Sequence, residues 1–301
     1  MTTLRVLVPG FRSTVQDHGR YTHLRMAVPP AGPADPFAFE AAQHLVGNQS
    51  SAAAIEIVGL PFRVTLDAPR LIAATGREVT LRTRGPVEGW TAVFARAGEE
   101  IAVEGTDRTR YAYLAVAGGI ALPEVLGSRS TYLPASIGPL PRALAADDVL
   151  PVGEPRQGPG RAGLTLPYAY ERRVHVLPGP HTGRFPDTSS FYIAELRVNE
   201  RSDRMGVRLE GPRIPVQRGE ILSLGMVAGA VQVPSGGQPI VLLADHQTTG
   251  GYPVIATVIR ADLGAVAQAV PGETLSFQQV DPAFATERLR SWGKLLGTLP
   301  R

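Results

Sequence analysis

The sequence contains no cysteine among its 301 residues. This absence excludes a disulfide scaffold, a zinc site built on thiolates and a cysteine nucleophile. Long apolar runs are equally absent, because no stretch reaches the roughly 18 residues from which a membrane-spanning helix is built. No secretory leader precedes the first strand-like segment at residues 5–8. We therefore expect a cytoplasmic protein that does not contact membranes.

An excess of charge of one sign is also missing. The 30 lysines and arginines only slightly outnumber the 27 acidic residues, and the net charge of +3 is not gathered in a basic run. This distribution argues against nucleic-acid binding. The six histidines show no spacing typical of metal ligands, so the sequence predicts no metal site in this chain.

Familiar motifs for nucleotide binding and serine hydrolysis are missing as well. The chain has neither a Walker A loop nor a G-x-S-x-G nucleophile elbow. The stretch GPGRAG at residues 158–163 fits the pattern G-x-G-x-x-G, but no strand precedes it. A dinucleotide site there is not supported, because that motif acts at a strand–turn–helix junction.

Glycine and proline, by contrast, are abundant. The sequence has 33 glycines and 27 prolines, and 44% of its residues are hydrophobic, which is enough for a packed core. Short runs rich in valine and isoleucine lie between these residues, as is typical of strands. Examples are Arg5–Val8, Ile55–Val58, Tyr113–Val116 and Val174–Leu177. The pattern predicts a mainly β protein.

Helix signals are few. The dipeptide Asp-Pro at residues 35–36 supplies an N-cap and a first-turn proline to an apolar stripe that ends before Gly47. The same dipeptide at residues 281–282 begins a C-terminal helix that runs to about Trp292. A further short helix is expected at residues 262–268.

The two halves of the chain carry similar segments in the same order. This order predicts two copies of one small β-fold, at residues 1–153 and 172–301, joined by a linker at residues 154–171 rich in glycine and proline. The matched segments are 5–10 with 173–179, 56–64 with 208–216, 97–105 with 218–225, 113–132 with 230–252, and 147–153 with 272–280.

Two polar segments have both a structural and a functional interpretation. In STVQDHGR, residues 13–20, we favour structure: Asp17 accepts hydrogen bonds from backbone amides, and Arg20 pairs with a carboxylate. In RSDRMGVRLEG, residues 201–211, the two interpretations have equal weight.

The arginines of the second segment carry its functional interpretation. Arg204 and Arg208 share one face if the segment is extended, and guanidinium groups bind carboxylates or phosphates through two parallel hydrogen bonds. The structural alternative is an ion pair between Arg204 and its neighbour Asp203.

The strongest candidate for a site is DHQTTGGYP at residues 245–253, between two apolar strand-like runs. A plain hairpin needs only about two to five connecting residues, so this polar connection requires another explanation. Its glycines allow a ligand or a strand to approach the backbone, and Asp245 is a candidate general base or positioning group. The alternative is a hydrogen-bonded turn that closes a barrel. The candidate binding residues are Gln247, Thr248, Thr249, Gly250, Gly251 and Tyr252.

Several of these motifs together resemble one known family, over about residues 5–283. They are TVQDHGR, GPADPFAFEAAQHLVGN, YLAVAGGI, LGSRST, SDRMGVRLEG, GAVQVPSGGQPIVLL and DHQTTGGYPVIATVIRADL. The sequence resembles the C subunit of bacterial ATP-dependent 5-oxoprolinase. The same family includes an antagonist of a sporulation-kinase inhibitor and one half of the carboxyltransferase region of urea carboxylase.

The resemblance implies a fold, partners and a cofactor. It implies two tandem cyclophilin-like β-barrel domains with a few short helices, in agreement with the internal repeat. It also implies a partner, the B subunit of 5-oxoprolinase, with the A subunit as a third component. ATP, with its Mg²⁺, would be used together with those partners to open 5-oxoproline to glutamate.

The sequence departs from the family pattern in the first half. A glycine-rich stretch is usual after the Ser-Thr motif, but GPLPRALAADD stands at residues 138–148, and only Gly138, Arg142 and Asp148 match it. Gln43 occupies a position where asparagine is usual. The second half keeps its motifs, so we place the site there.

The chemistry of a lactam that bears one carboxylate suggests roles for the second-half residues. Such a ligand requires an arginine for its charge, uncharged partners for its amide and glycines for close approach. We predict Asp245 and Arg204 as catalytic, with Arg208 and the turn from Gln247 to Tyr252 binding the substrate. Arg204, Asp245, Gln247, Thr249 and Tyr252 should then line one cleft.

Three functions remain open at this point. The first is the C subunit of 5-oxoprolinase, nearly inactive alone. The second is a biotin-dependent carboxyltransferase component acting on urea or a related amide, with the biotin carrier on another protein because this chain lacks a biotinylated Met-Lys segment. The third is a non-catalytic antagonist of a kinase inhibitor.

Overall fold

A computed structural model describes residues 2–156, 163, 165–166, 170–217 and 221–297. The chain divides into two compact units. The first comprises Met1–Arg20 and Ala31–Ala169, and the second comprises Tyr21–Pro30 and Tyr170–Arg301. Much of the predicted linker, including all of GPGRAG except Gly163, lies outside the described residues.

The first unit is built from short strands that pair antiparallel. The strands are β1 (Thr2–Val8), β2 (Thr14–Gln16), β3 (Ala54–Ile57), β4 (Phe62–Leu66), β5 (Arg70–Gly76), β6 (Thr80–Arg82), β7 (Pro86–Glu88), β8 (Ala92–Ala95), β9 (Glu100–Glu104), β10 (Ala112–Val116) and β11 (Val149–Val152). They form a six-stranded sheet in the order β11-β1-β4-β9-β6-β7 and a five-stranded sheet in the order β2-β3-β10-β5-β8.

Both sheets contribute to one hydrophobic core. Leu4 and Val64 from the first sheet and Ile55, Ile72 and Leu114 from the second belong to a single cluster of buried side chains. Strand β4 alternates buried and half-buried residues, whereas β10 is buried along its whole length. This burial of apolar surface is the main force that holds the two sheets together.

Helix α1 (Pro36–Leu45) packs against β5 and β10. Its start follows the predicted cap: the Asp35 side chain accepts a hydrogen bond of 3.1 Å from the amide of Ala38. Because a first-turn proline has no amide to satisfy, Pro36 fits this helix end without loss.

The second unit contains a closed barrel. Its strands are β12 (Arg173–Pro178), β13 (Leu196–Val198), β14 (Gly206–Glu210), β15 (Leu224–Gly225), β16 (Ala230–Gln232), β17 (Ile240–Leu242), β18 (Thr249–Gly250), β19 (Val254–Val258) and β20 (Thr274–Gln279). The barrel order is β12-β19-β16-β17-β14-β13-β20, and β15 and β18 form a separate two-stranded sheet. The helices of this unit are α2 (Ser189–Ile193), α3 (Leu263–Gln268) and α4 (Pro282–Leu295).

Across the two units, short 3₁₀ helices lie at Tyr21–Met26, Leu133–Ala135, Thr182–Arg184 and Arg260–Asp262.

The prediction of a mainly β protein with few helices is confirmed, and α1, α3 and α4 lie where the sequence placed them. The proposed repeat does not hold in every detail. Strand β1 pairs with β11 antiparallel, whereas β12 pairs with β20 parallel. The last pair of matched segments therefore occupies different positions in the two units. No helix in the described part of the chain is long and apolar enough to cross a membrane.

Candidate functional site

The length of the segment at residues 243–253 follows from the strands that it connects. It connects β17 to β19, and both of these strands pair with β16, which lies between them. A tight turn joins only adjacent strands, so the connection has to pass the end of β16. On the way it forms β18, where Gly250 is paired with Leu224 and Thr249 with Gly225 of β15.

Arg204 and Asp245, the two predicted catalytic residues, form a buried ion pair. Nε and Nη2 of Arg204 lie 2.9 and 2.8 Å from the two carboxylate oxygens of Asp245. Their side chains are 11% and 4% exposed. The backbone amide of Asp245 also donates to the carbonyl of Arg204, at 2.9 Å. The pair joins the segment before β14 to the segment after β17, and the geometry favours a structural role.

The residues around Arg204 do not support a second arginine in a shared site. Asp203, suggested by its position as the partner of Arg204, instead accepts hydrogen bonds from the amides of Met205 and Gly206, at 2.8 and 3.3 Å. Arg208 lies in β14 and points outward, exposed between two buried neighbours. Arg208 is not among the described residues that line the cleft next to the 245–253 segment.

Gln247 faces another amide inside the unit. Its Nε2 donates to Oε1 of Gln232 at 3.0 Å, and Nε2 of Gln232 lies 3.3 Å from the sulfur of Met226. A Cβ on Gly250 would lie only 2.6 Å from Nε2 of Gln232. The close approach that the glycine pair predicted is therefore real at Gly250, but the group that approaches is this amide pair.

The two threonines of the segment serve its local structure. The carbonyl of Thr248 accepts a hydrogen bond of 2.9 Å from the amide of Met226. Thr249 begins β18 with its side chain exposed. Both anchor the segment to the residues around β15, which shapes the neighbouring surface.

His246 is a buried histidine that the sequence analysis did not select. It is 3% exposed, and its Nδ1 lies 2.6 Å from the carbonyl oxygen of Gln247. A carbonyl only accepts, so Nδ1 carries the proton of the neutral ring. Burial lowers the pKa of His246, and this outweighs the hydrogen bond to Gln247 and the nearby charge of Asp245, which act to raise it.

The state of His246 predicts a pH dependence of stability. The histidine of the unfolded chain gains a proton near pH 6.5, whereas folded His246 resists protonation, so stability should fall as the pH drops from about 7.5 to about 5.5. The variant His246→Gln should show a smaller fall in thermal midpoint over this range than the wild type. His23→Gln, which changes a histidine outside this segment, should keep the wild-type slope. Equal slopes for His246→Gln and the wild type would refute the assignment.

A cleft of about 990 Å³ opens next to this segment, within the second unit. Of the predicted site residues, Gly251 and Tyr252 line it, and Tyr252 is 53% exposed. Arg213 is the only charged side chain among the described lining residues. The described lining residues are Arg213, Val216, Gln217, Ile221, Leu222, Val233, Ser235, Gly251, Tyr252 and Pro253.

Arg213 carries the positive charge that the sequence analysis assigned to Arg204. Its Nη2 donates to the backbone carbonyl of Ser235 at 3.0 Å, which holds the guanidinium at the wall of the cleft. A Cβ on Gly237 would overlap Cγ of Arg213, so only glycine leaves room for the arginine stem. The sequence signal was weak: a lone arginine between two prolines in GPRIPV.

Comparison with known proteins identifies the family. The model of the carboxyltransferase domain, subdomain A and B, matches residues 26–279. The chain belongs to this family. The 5-oxoprolinase C subunit of Escherichia coli is 36% identical over 92% of this chain and 91% of its own length. The protein of the same name from Haemophilus influenzae is also 36% identical, over 89% of this chain and 88% of its own length. The resemblance seen in the sequence is thereby confirmed.

A solved structure has the same fold. The K. lactis urea amidolyase superposes with a TM-score of 0.89 at 28% identity, over 98% of this chain. This chain spans 20% of that longer protein. The fold of two β-rich units is therefore that of a carboxyltransferase domain.

The positions where this carboxyltransferase domain departs from the family pattern have structural roles. Arg142 and Asp148 form a paired ion bridge with N–O distances of 2.6 and 2.8 Å, which closes the 138–148 loop. Gln43 is buried, donating to the carbonyl of Ala52 at 2.6 Å and accepting from Asn48 at 2.7 Å.

The first unit also explains the STVQDHGR segment. Asp17 accepts hydrogen bonds from the hydroxyls of Ser128 and Ser130, at 2.5 and 2.6 Å, and from the amides of Gly19 and Arg129. Burial alone would raise the pKa of Asp17, but these hydrogen bonds outweigh it and lower the pKa. The buried Arg20 donates to the carbonyl of Ser130. The structural interpretation of Asp17 is confirmed. Across the described residues, no cluster of His, Asp and Glu is arranged to hold a metal ion.

Proposed function

We propose that this chain is the C subunit of an ATP-dependent 5-oxoprolinase. The observation that carries the proposal is the 36% identity to two proteins of that name, over about nine tenths of each partner in the comparison. The name of these relatives indicates a subunit of a hydrolase. The lactam substrate, the use of ATP and the partner subunits are further parts of the proposal.

The second-unit cleft fits this chemistry. 5-Oxoproline is a neutral ring amide that carries one carboxylate, so its site requires one cation and several uncharged hydrogen-bonding groups. Arg213 supplies the cation, and Gln217, Ser235 and Tyr252 supply uncharged polar groups. Apolar contacts for the ring carbons come from Val233. We assign substrate binding to this cleft and a structural role to the Arg204–Asp245 pair.

The chain's own residues bind and orient the substrate, while ATP activates the amide when it is bound. Opening a lactam is slow because amide resonance protects its carbonyl, and coupling to ATP overcomes that barrier. The sequence has no Walker A loop, so we place ATP and its Mg²⁺ with the partner subunits. This division of roles is consistent with the name of the relatives, which describes them as one subunit of an enzyme.

Reconstitution tests the proposal. The chain should form a complex with the B and A subunits of a 5-oxoprolinase, and the complex should hydrolyse ATP in a 5-oxoproline-dependent manner. The isolated chain should be nearly inactive, because it lacks a phosphate-binding loop. Full activity from the isolated chain, or a complex whose ATP hydrolysis ignores 5-oxoproline, would overturn the proposal.

One observation favours a second candidate. The urea amidolyase from Lachancea kluyveri is 29% identical over 98% of this chain, which spans 18% of that longer relative. The solved K. lactis protein has the same fold. A carboxyltransferase component acting on urea would require a biotin carrier from another protein. Urea-dependent consumption of carboxybiotin by the same complex, without a response to 5-oxoproline, would select this candidate.

A further inference from the structure

A second cavity is lined by residues of the first unit. It has a volume of about 230 Å³. Three motifs that the proposed function leaves unused meet there: the end of HLVGN, the glycine pair of AVAGGI and the arginine of LGSRST. The lining residues are Asn48, Gln49, Ser51, Ala52, Ala53, Gly118, Gly119, Ile120, Ala121, Arg129, Glu154 and Arg156. We infer that this cavity binds a compact oxyanion, either a phosphate or a small carboxylate.

The floor of the cavity is a rigid glycine turn. Gly118 and Gly119 both have positive φ angles, of 101° and 69°. The amide of Gly118 donates to Oδ1 of Asn48 at 2.8 Å, and Asn48 also donates to the carbonyl of Val116 at 2.9 Å. A Cβ on Gly118 would overlap the carbonyl oxygen of Gly153, so the two backbone segments touch. The turn therefore has a fixed shape.

Two guanidinium groups stand at this fixed turn. Arg129 is oriented by its Nε, which donates to the carbonyl of Leu122 at 2.6 Å, and by its Nη1, which lies 2.9 Å from Glu124. Arg156 donates to the side-chain oxygen of Gln49, with Nη1 at 3.1 Å, in the amide orientation that satisfies both residues. Arg129 is thus held in place from two sides, and Arg156 from one.

Arg156 brings to the cavity a guanidinium that has no carboxylate partner among the described residues. Within the described part of the chain, no carboxylate lies within ion-pair distance of Arg156, and Glu154 forms no ion pair with either arginine. The lining carries two positive charges and one negative charge, and Glu124 neutralises Arg129, so the local charges sum to zero. The feature that favours an anion is therefore the guanidinium of Arg156 rather than a net positive charge. Guanidinium groups match the geometry of carboxylate and phosphate oxygens.

The size of the cavity limits the ligand. Sites for drug-sized ligands have volumes of about 300–1,000 Å³, so a nucleotide exceeds this one. The backbone amides of Ile120 and Ala121 already donate to the carbonyls of Ala53 and Pro151, at 2.9 and 2.8 Å. Side chains, and the arginines above all, must therefore hold the ligand. A phosphate or a carboxylate of a few heavy atoms satisfies both limits.

Titration of the purified full chain tests the inference, with inorganic phosphate in one arm and glutamate in the other. Calorimetry should show saturable binding in at least one arm, and the stronger arm identifies the source of the oxyanion. Arg156→Gln should weaken that binding at least tenfold. Glu154→Gln should tighten it severalfold, because a like charge leaves the cavity. Arg96→Gln, a change at an exposed arginine elsewhere in the first unit, should leave it within twofold.

Three results would overturn the inference. One is the absence of saturable binding in both arms for a wild-type chain whose circular dichroism shows it to be folded. Another is wild-type affinity in Arg156→Gln. The third is equal weakening by Arg96→Gln and Arg156→Gln, which would indicate general attraction of anions to a basic protein. Arg156 and Glu154 are both exposed, so these variants should keep the wild-type thermal midpoint.

Discussion

Replacing Arg204 by leucine should lower the free energy of unfolding by about 3–5 kcal/mol. The substitution leaves the Asp245 carboxylate, which is 4% exposed, without the two hydrogen bonds of 2.9 and 2.8 Å that now compensate its burial. Urea denaturation of the purified chain measures this change. Arg208→Leu, on the exposed face of β14, is the matched control and should change stability by less than about 0.5 kcal/mol.

A double variant separates loss of the pair from loss of the arginine alone. Arg204→Leu combined with Asp245→Leu removes both charges, so it should recover much of the stability lost in the single variant. A kept stability in Arg204→Leu together with lost activity of the assembled complex would contradict the structural assignment. It would return Arg204 to the catalytic role that the sequence suggested.

Replacing Arg213 by glutamine should raise the KM of the assembled complex for 5-oxoproline about 10-fold to 100-fold. A hydrogen bond to a charged group contributes about 1.5–3 kcal/mol, and each difference of about 1.4 kcal/mol corresponds to a factor of ten. The KM for ATP should not change, because we place ATP with the partner subunits. Steady-state ATP hydrolysis with each substrate varied in turn measures both constants.

Arg197→Gln is the matched control for this prediction. Arg197 is an exposed arginine of β13 in the same unit and does not line the cleft. Its variant should keep both KM values. An unchanged KM for 5-oxoproline in Arg213→Gln would remove the arginine, and with it the charge argument, from the proposed site.

The sequence correctly predicted the features that depend on a few neighbouring residues, such as the starts of helices. The Asp-Pro pairs at residues 35–36 and 281–282 both begin helices, and each aspartate caps its helix by accepting from an amide three residues on, at 3.1 and 2.7 Å. Cap geometry is contained within four residues, so the sequence alone is sufficient. The short apolar runs formed strands because the strand pattern is also contained within a few neighbouring residues.

The partners of the charged residues were not predictable in this way. Arg204 has Asp203 beside it in sequence, but pairs with Asp245, which the barrel brings to it from the end of β17. Asp203 is occupied by the amides of its own turn. An aspartate side chain commonly accepts a hydrogen bond from the backbone amide two residues later in the chain. A long arginine side chain, by contrast, can reach a partner on another strand.

The sequence predicted only some of the residues that line the cleft. Gly251 and Tyr252 were selected from their motif, and both line it. Arg213 was not selected, because its position depends on contacts with Ser235 and Gly237, which are distant in sequence. The motif around Asp245 instead supplies internal contacts, with Asp245 paired to Arg204 and Gln247 to Gln232.

Filling the cleft is the most direct test of the claim that it binds the substrate. A Cβ on Gly251 meets nothing closer than 3.7 Å, so Gly251→Phe should fold and place its ring in the cleft. The same change at Gly183, where a Cβ meets nothing within 4 Å and which does not line the cleft, is the control. Assembled with the partner subunits, Gly251→Phe should lose 5-oxoproline-dependent ATP hydrolysis at least tenfold while Gly183→Phe keeps it, both with the wild-type thermal midpoint. Wild-type activity in a folded, assembled Gly251→Phe complex would contradict the assignment of the substrate to this cleft.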